Sequence, residues 1–261
     1  MNSIRSLASS TFYKTYGSTN HPYIVFLHGF LEDHSIWHSL IERLKSEYFC
    51  INIDLPGHGN AKDDTVATIE EMVKNVLTIL KTCNVSNAHF IGHSMGGYVL
   101  LAILESQSDL VKSAVLLNST SYPDSMERKN DRDRVISLVE KNKNAFVHMA
   151  IMNLFTEQNR SYYKKEINLL IKNAVKTPSS SIIKSLEAMK VRKDRSKVFQ
   201  NFNGQKAIFS GENDTIIKNT DSKVEALQTG SIFKTFAGGH MTFLEDTDNL
   251  IIELNKIFNK I

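Results

Sequence analysis

HFIGHSMGGYVLL, residues His89 to Leu101, is the stretch on which the reading of this chain turns. Its opening residues are apolar and β-favouring, its closing residues are apolar at helical spacing, and one serine stands among glycines where strand must become helix. Glycine admits tight bends and close backbone approach. The run is therefore either a plain turn around an inert serine, or a bent backbone that lifts the Ser94 hydroxyl clear of a sheet.

Working outward, the same strand, turn and helix sequence recurs on both sides. Upstream, YIVFLHG (Tyr23 to Gly29) is an apolar run closed by glycine, and SIWHSLIERLKSE after it places Ile36, Leu40, Ile41 and Leu44 at helical spacing. FCINIDLPGHG repeats the strand, and the segment after it offers Thr65 as a helix cap before an apolar stripe of Ile69, Val73, Val76 and Leu80. Downstream, a helix from about Met95 to Gln107 leads to a strand in VKSAVLLNS. Continuous apolar strands separated by amphipathic helices predict an α/β fold, a mostly parallel sheet with helices on both faces. From Thr120 to Phe202 the strand signal stops and the pattern turns helical and lysine-rich, so an inserted helical cap is expected over 120–202, with the core in 1–119 and 203–261. QKAIFSGEND and SIFKTFAGGH then resume the sheet, and NLIIELNKIFNKI closes it with an amphipathic helix.

The bulk properties agree. At 261 residues, 41% apolar and 23% charged, the chain has ordinary globular usage for one domain with an insertion. A formal charge of +3 without an unbroken basic run argues against nucleic acid as a partner. No run reaches the ~18 apolar residues of a membrane span, and the N-terminal stretch lacks the apolar centre of a signal peptide, so a cytoplasmic location is the expectation. Cys50 and Cys83 have no metal-type spacing and are expected to be reduced, buried thiols.

In parallel sheets, ligands sit beyond the carboxyl ends of the strands. The residues there are His28-Gly29-Phe30, Asp54, Ser94, Asn118, Asp214 and His240. Serine is a poor nucleophile until a base within hydrogen-bond reach takes its proton and an acid orients that base. Ser94, His240 and Asp214 can supply those three parts. Gly92-His93-Ser94-Met95-Gly96 fits G-x-S-x-G, the nucleophile elbow, in its required place between strand and helix.

With these motifs in order, the chain resembles the α/β-hydrolase fold superfamily over essentially its whole length, as a serine carboxylesterase-like member. FLHGF resembles the oxyanion loop, DLPGHG the next strand-end turn, GHSMGG the elbow, and SGENDTII with GGHMTFLE the acid and histidine segments. The resemblance implies Ser94 as nucleophile, Asp214 as orienting acid and His240 as general base, with the N–H groups of Phe30 and Met95 forming an oxyanion hole. Glu212 and Asp124 compete with Asp214, but spacing within the motif favours Asp214. The implied activity is hydrolysis of a small-molecule carboxylic ester or thioester through an acyl-enzyme. Cleavage of a carbon–carbon bond, or a lyase step like that of the menaquinone pathway, uses the same triad. Enzymes of that pathway typically carry Arg after the elbow glycines, where this chain has Tyr98. A ligand-binding protein that has lost turnover is the reading from another class.

No cofactor and no metal are called for. His34 and His38 stand at i, i+4 on a helix, a metal-like spacing, without a carboxylate or cysteine constellation to complete it. His28 and His58 are expected to hydrogen-bond their own turns, His93 to pack beside the elbow, and His148 to lie on the insertion's surface or in its packing. The pocket wall is expected from Phe30, Trp37, Tyr98, Phe146, Met149 and Phe155, with core or scaffold packing as the alternative for all but Phe30. The insertion also carries more than half of the chain's Lys and Arg, a local excess able to draw anionic substrates, although a solvated face explains it too.

Overall fold

β-Branched and aromatic runs too apolar to face water on either side build the centre of the sheet. The computed structural model describes residues 2–5, 11–61 and 68–259. Its strands are β1 (Asn2–Arg5), β2 (Phe12–Tyr16), β3 (Tyr23–Leu27), β4 (Phe49–Asp54), β5 (Ala88–His93), β6 (Val111–Leu117), β7 (Gln205–Gly211) and β8 (Ile232–Phe236). They form one sheet in the order β1-β2-β4-β3-β5-β6-β7-β8. The β1–β2 and β2–β4 pairings are antiparallel and all others parallel. Every residue of β4 and β5 is buried. Because successive side chains point to opposite faces, both faces are covered.

The covering helices are α1 (His38–Leu44), α2 (Ile69–Thr82), α3 (Met95–Ser106), α9 (Asn219–Thr229), α10 (Thr242–Glu245) and α11 (Thr247–Phe258). Between β6 and β7 come α4 (Met126–Met152), α5 (Glu157–Tyr162), α6 (Lys164–Ala174), α7 (Ser179–Lys190) and α8 (Ser196–Asn201). α4 breaks at Asn142, whose backbone leaves the helical region. The Asn142 side-chain oxygen accepts from the Ala145 amide at 3.0 Å and so caps the second segment. Arg195 ties the insertion to the core: its buried guanidinium donates to Glu70 on α2 at 2.8 Å and to Glu105 on α3 at 3.1 Å.

Several details differ from the sequence expectation. The two antiparallel strands β1 and β2 extend the sheet beyond the predicted parallel set; β2 is only five residues long and too short to stand out by its alternation. α9 escapes periodicity analysis because its buried positions are Ser222, Glu225, Ala226 and Thr229 rather than an apolar stripe. α2 is capped by Thr68, whose hydroxyl accepts from the Glu71 amide at 3.2 Å; Thr65, the expected cap, lies outside the described residues. Cys50 is buried and Cys83 half-buried, both free of disulfides. No helix among the described residues is long and apolar enough to cross a membrane.

Candidate active site

β5 delivers Ser94 by a bend that costs backbone strain. Ser94 has φ 50° and ψ −116°, a region that side-chain-bearing residues rarely adopt. Glycine is required on both sides by space: a Cβ at Gly92 would lie 2.6 Å from the Gly96 carbonyl oxygen, and one at Gly96 would collide with the Leu27 carbonyl. Strand and helix thus meet at contact distance, with the serine at the apex. The bend is pinned from outside by the Ser119 hydroxyl, which donates to the Ser94 carbonyl at 2.7 Å.

The turn after β7 supplies Asp214, and the loop after β8 supplies His240; both are buried. His240 Nδ1 lies 2.8 Å from Asp214 Oδ2. An ionised carboxylate can only accept, so this bond puts a proton on Nδ1 and leaves Nε2 as the basic nitrogen of the neutral ring. Asp214 also accepts from Asn118 Nδ2 at 2.9 Å, and from the amides of Ile216 and Ile217 at 2.8 and 3.0 Å. Burial pushes the Asp214 carboxyl up, but the neighbouring His240 and these donors outweigh it and hold the group below its usual value. Of the competing acids, Glu212 is exposed, and Asp124 is paired with Arg132 and Arg192. Ser94 and His240 line the same cavity. No hydrogen bond joins them among the described residues, and such catalytic bonds commonly tighten only on a bound substrate.

A second buried pair stands behind the first. His93 Nδ1 is 2.9 Å from Glu32 Oε2, and His93 Nε2 is 2.9 Å from the backbone carbonyl oxygen of His240. That carbonyl only accepts, so Nε2 must carry a proton. Glu32 Oε2 also accepts the Gly29 amide at 2.6 Å. Burial opposes charge on both groups, yet their mutual attraction prevails: the Glu32 carboxyl is lowered and the His93 imidazole raised. The loop after β3, the end of β5 and the loop after β8 are therefore joined through one ion pair. A Cβ at Gly29 would sit 2.7 Å from Glu32 Oε2 and 2.9 Å from His93 Nδ1, which explains glycine there. Sequence reasoning placed His93 beside the elbow but missed Glu32; its position three residues after Gly29, where a side chain folds back on the turn amide, was the available signal. Asn118 was noted only as a strand-end residue, whereas its amide donates to the Asp214 carboxylate beyond the next strand.

Phe30 lies in the loop after β3, and Met95 directly follows Ser94. Met95 opens α3, where the first amides have no acceptor within the helix and the dipole is positive. The Phe30 amide donates to no partner among the described residues.

The cavity over Ser94 has a volume of about 340 Å³. Phe30, Tyr98, Phe146 and Met149 line it as expected. Trp37 and Phe155 do not: Trp37 is fully buried against Phe26 and Phe243, and Phe155 packs near Tyr163. Both are core because their backbone segments point them into packed layers, a matter spacing alone does not settle. The remaining wall comes largely from the insertion, including Arg128, Arg132, Val135, Leu186 and Met189, with Ile216 from the core. The insertion also touches the histidine itself, since the His240 amide donates to the Leu154 carbonyl at 3.0 Å.

Other histidines serve structure. His28 Nε2 accepts the Leu55 amide at 2.8 Å, which places its proton on Nδ1, 2.8 Å from the Gly29 carbonyl. His58 is buried beside it, and burial with the neighbouring His28 pushes its imidazole down to about 4. His148 is exposed. His34 gathers with Asp33 and Asp54, not with His38, their ligand-type atoms lying within 4.8 Å of one another. This group is a turn lock: Asp54 accepts from the His34 amide at 2.6 Å and its ring at 2.8 Å, and from the Asn60 amide at 2.8 Å.

Known proteins share this framework. The chain is 34% identical over 105 residues to 3-oxoadipate enol-lactonase 1 of Acinetobacter baylyi, and 30% identical over 115 residues to the uncharacterized hydrolase YugF of Bacillus subtilis. These matches span 40% and 43% of this chain, and 40% and 42% of the two relatives. Among solved structures, a thermophilic esterase from Thermogutta terrifontis superposes with a TM-score of 0.88 at 22% identity, covering 99% of this chain and 98% of that one. The enol-lactonase from Burkholderia xenovorans LB400 gives 0.89 at 18% identity, covering 99% and 100%. A model of the alpha/beta hydrolase fold family matches residues 22–247, most of the length and all of the elements that carry Ser94, Asp214 and His240. The chain belongs to the alpha/beta hydrolase fold family.

Proposed function

We propose that this protein is a serine hydrolase that cleaves small carboxylic esters, lactones or thioesters through an acyl-enzyme on Ser94. The observation that carries the reading is the 2.8 Å His240–Asp214 bond on the wall of a cavity that also contains the strained Ser94. Relatives named as enol-lactonase and esterase support cleavage of a C–O bond next to a carbonyl.

In this mechanism Ser94 Oγ adds to the substrate carbonyl carbon as its proton passes to His240 Nε2. The imidazolium that forms is stabilised by Asp214, held ready by its four donors. The carbonyl oxygen becomes an oxyanion, for which the Phe30 and Met95 amides are the donors; one such donor contributes roughly 3–4 kcal/mol to the transition state. Collapse breaks the bond to the leaving oxygen or sulfur, which takes the proton from His240. A water then attacks the acyl group, giving His240 a proton, and the tetrahedral species releases the carboxylic acid with Ser94 restored. Residues 120–202 act as a cap that closes the cavity and sets which acyl groups fit.

A fluorophosphonate probe tests the reading. Labelling of the folded chain that disappears in Ser94→Ala is expected, together with turnover of 4-nitrophenyl acetate above the buffer rate. A folded chain that neither labels nor turns over esters overturns it.

A further inference from the structure

Among the apolar groups of the cavity wall stand two guanidinium groups, Arg128 and Arg132, on the first turns of α4. They share a single counter-charge with a third arginine. Buried Asp124 accepts from Arg132 Nε and from Arg192 Nη1, the latter at 2.6 Å, while Arg128 Nε stands 4.0 Å away. Arg192 is fully engaged: it also donates to the carbonyls of Tyr122 and Met189, and its guanidinium lies 4.0 Å from the centre of the Tyr98 ring. Arg128 is half exposed, and the one hydrogen bond its guanidinium makes among the described residues is to the Ile216 carbonyl, at 2.7 Å. Among the described residues the Arg132 guanidinium donates only to Asp124. Each guanidinium has five N–H donors, so both keep unused ones.

The acids nearby do not cancel this charge. Asp131 also lines the cavity but is paired with Arg134 at 2.6 Å, and Glu32 is committed to His93 and the Gly29 amide. Three arginines thus share the single carboxylate of Asp124 beside this end of the cavity, and two of them, Arg128 and Arg132, line it. A water-poor apolar wall strengthens any ion pair made against it, and the planar guanidinium fork matches a carboxylate in shape.

We propose that the cavity selects esters or lactones bearing a carboxylate, held by Arg128 and Arg132 while the scissile carbonyl faces Ser94. This rests on the serine-hydrolase reading for its chemistry, but the anion subsite can be measured without turnover. The carboxylate takes no part in bond making; it fixes orientation, so its contribution appears chiefly in KM.

The test has two arms, both on the full chain. In the first, 4-nitrophenyl hydrogen adipate is compared with its methyl ester, a chain long enough to limit self-catalysed hydrolysis. The wild type is expected to prefer the anion in kcat/KM, with a KM that rises with ionic strength. In Arg128→Gln the anionic-to-neutral ratio is expected to fall at least tenfold, and further in Arg128→Glu; Arg128 is half exposed and so is chosen over Arg132, whose guanidinium is paired with buried Asp124. A wild-type ratio near one, or a ratio unmoved by both Arg128 variants, overturns the proposal. In the second arm, Ser94→Ala is titrated calorimetrically with monomethyl adipate, dimethyl adipate and methyl phosphate. Tighter binding of monomethyl adipate than of the other two supports the subsite. Equal binding of the two adipates, or tighter binding of methyl phosphate, overturns it. If neither nitrophenyl ester turns over, the hydrolase reading fails, while the titration still decides the anion subsite.

Discussion

Asp214, at the carboxyl edge of the sheet, is buried with four donors aimed at it, while the wall that the inserted helices bring over it mixes buried Phe146 with half-exposed Met149 and arginines that share one carboxylate. The edge is set by strand ends and close glycine contacts, where an added Cβ at Gly92 or Gly96 would collide with backbone. The insertion packs buried residues such as Phe146, Val147, Phe155 and Phe199 into the same apolar cluster as the sheet, and polar anchors such as Arg195 across Glu70 and Glu105 add to that contact. In the proposed mechanism, chemistry and selection therefore sit on different parts of the molecule. A change at the edge should strike the rate, and a change in the insertion should strike stability or substrate choice.

The largest expected effect is at the edge. Ser94→Ala or His240→Ala should each lower kcat for 4-nitrophenyl acetate by about 10⁵–10⁶-fold, since members of a triad act as a unit. A loss of only a few fold in either would remove the distinction between the two regions. Next, Asp214→Asn should lower kcat by about 10⁴-fold by favouring the wrong tautomer of His240, with little change in KM.

Third comes the buried pair that joins the two loops of the edge. Glu32→Ala leaves the His93 charge without a partner and should destabilise the fold by about 3–5 kcal/mol in chemical denaturation. Its pH dependence has a definite sign. His93 is raised from 6.5, so its contribution is complete below 6.5 and fades as pH climbs through the raised value. Glu32 is lowered from 4.5, so its contribution is present above 4.5 and fades as pH falls through the lowered value. The stabilisation is fullest between pH 4.5 and 6.5. In Glu32→Gln that maximum should flatten; an unchanged profile would mean that the pair is not ionised.

The insertion should respond differently. Arg195→Met is expected to cost about 1–2 kcal/mol, reduced because both acids it meets are substantially exposed, with kcat moved less than threefold. The smallest effect belongs to Met149→Ala, which widens the cavity: a panel of 4-nitrophenyl esters should show its optimum moving to longer acyl chains, by roughly tenfold in relative kcat/KM at most. A large drop in kcat on short esters would show that the insertion shapes the chemistry as well.

Much of the edge is legible from short-range rules. Ser94 stands between strand and helix periodicities, and a bend of that kind needs glycines at fixed offsets. The parallel strands announce themselves because burial on both faces demands unbroken apolar runs. Glu32 and Asn118 were not legible, because each acts on a residue far along the chain, His93 and Asp214 respectively. The same holds in the insertion, where Phe146, Met149 and Phe155 share one apolar run but only the first two meet the cavity.

By itself, then, the sequence determined the alternation of strands and helices, the interruption after β6 and the chain order of serine, aspartate and histidine, since these rest on periodicity and on local backbone sterics. Tertiary structure alone decided that His93 reaches from the end of β5 to the His240 carbonyl, that Trp37 belongs to the core, and that Arg128 and Arg132 line the cavity that also contains Ser94. Those outcomes depend on where helices separated by many residues come to rest against the sheet, and no local rule encodes that.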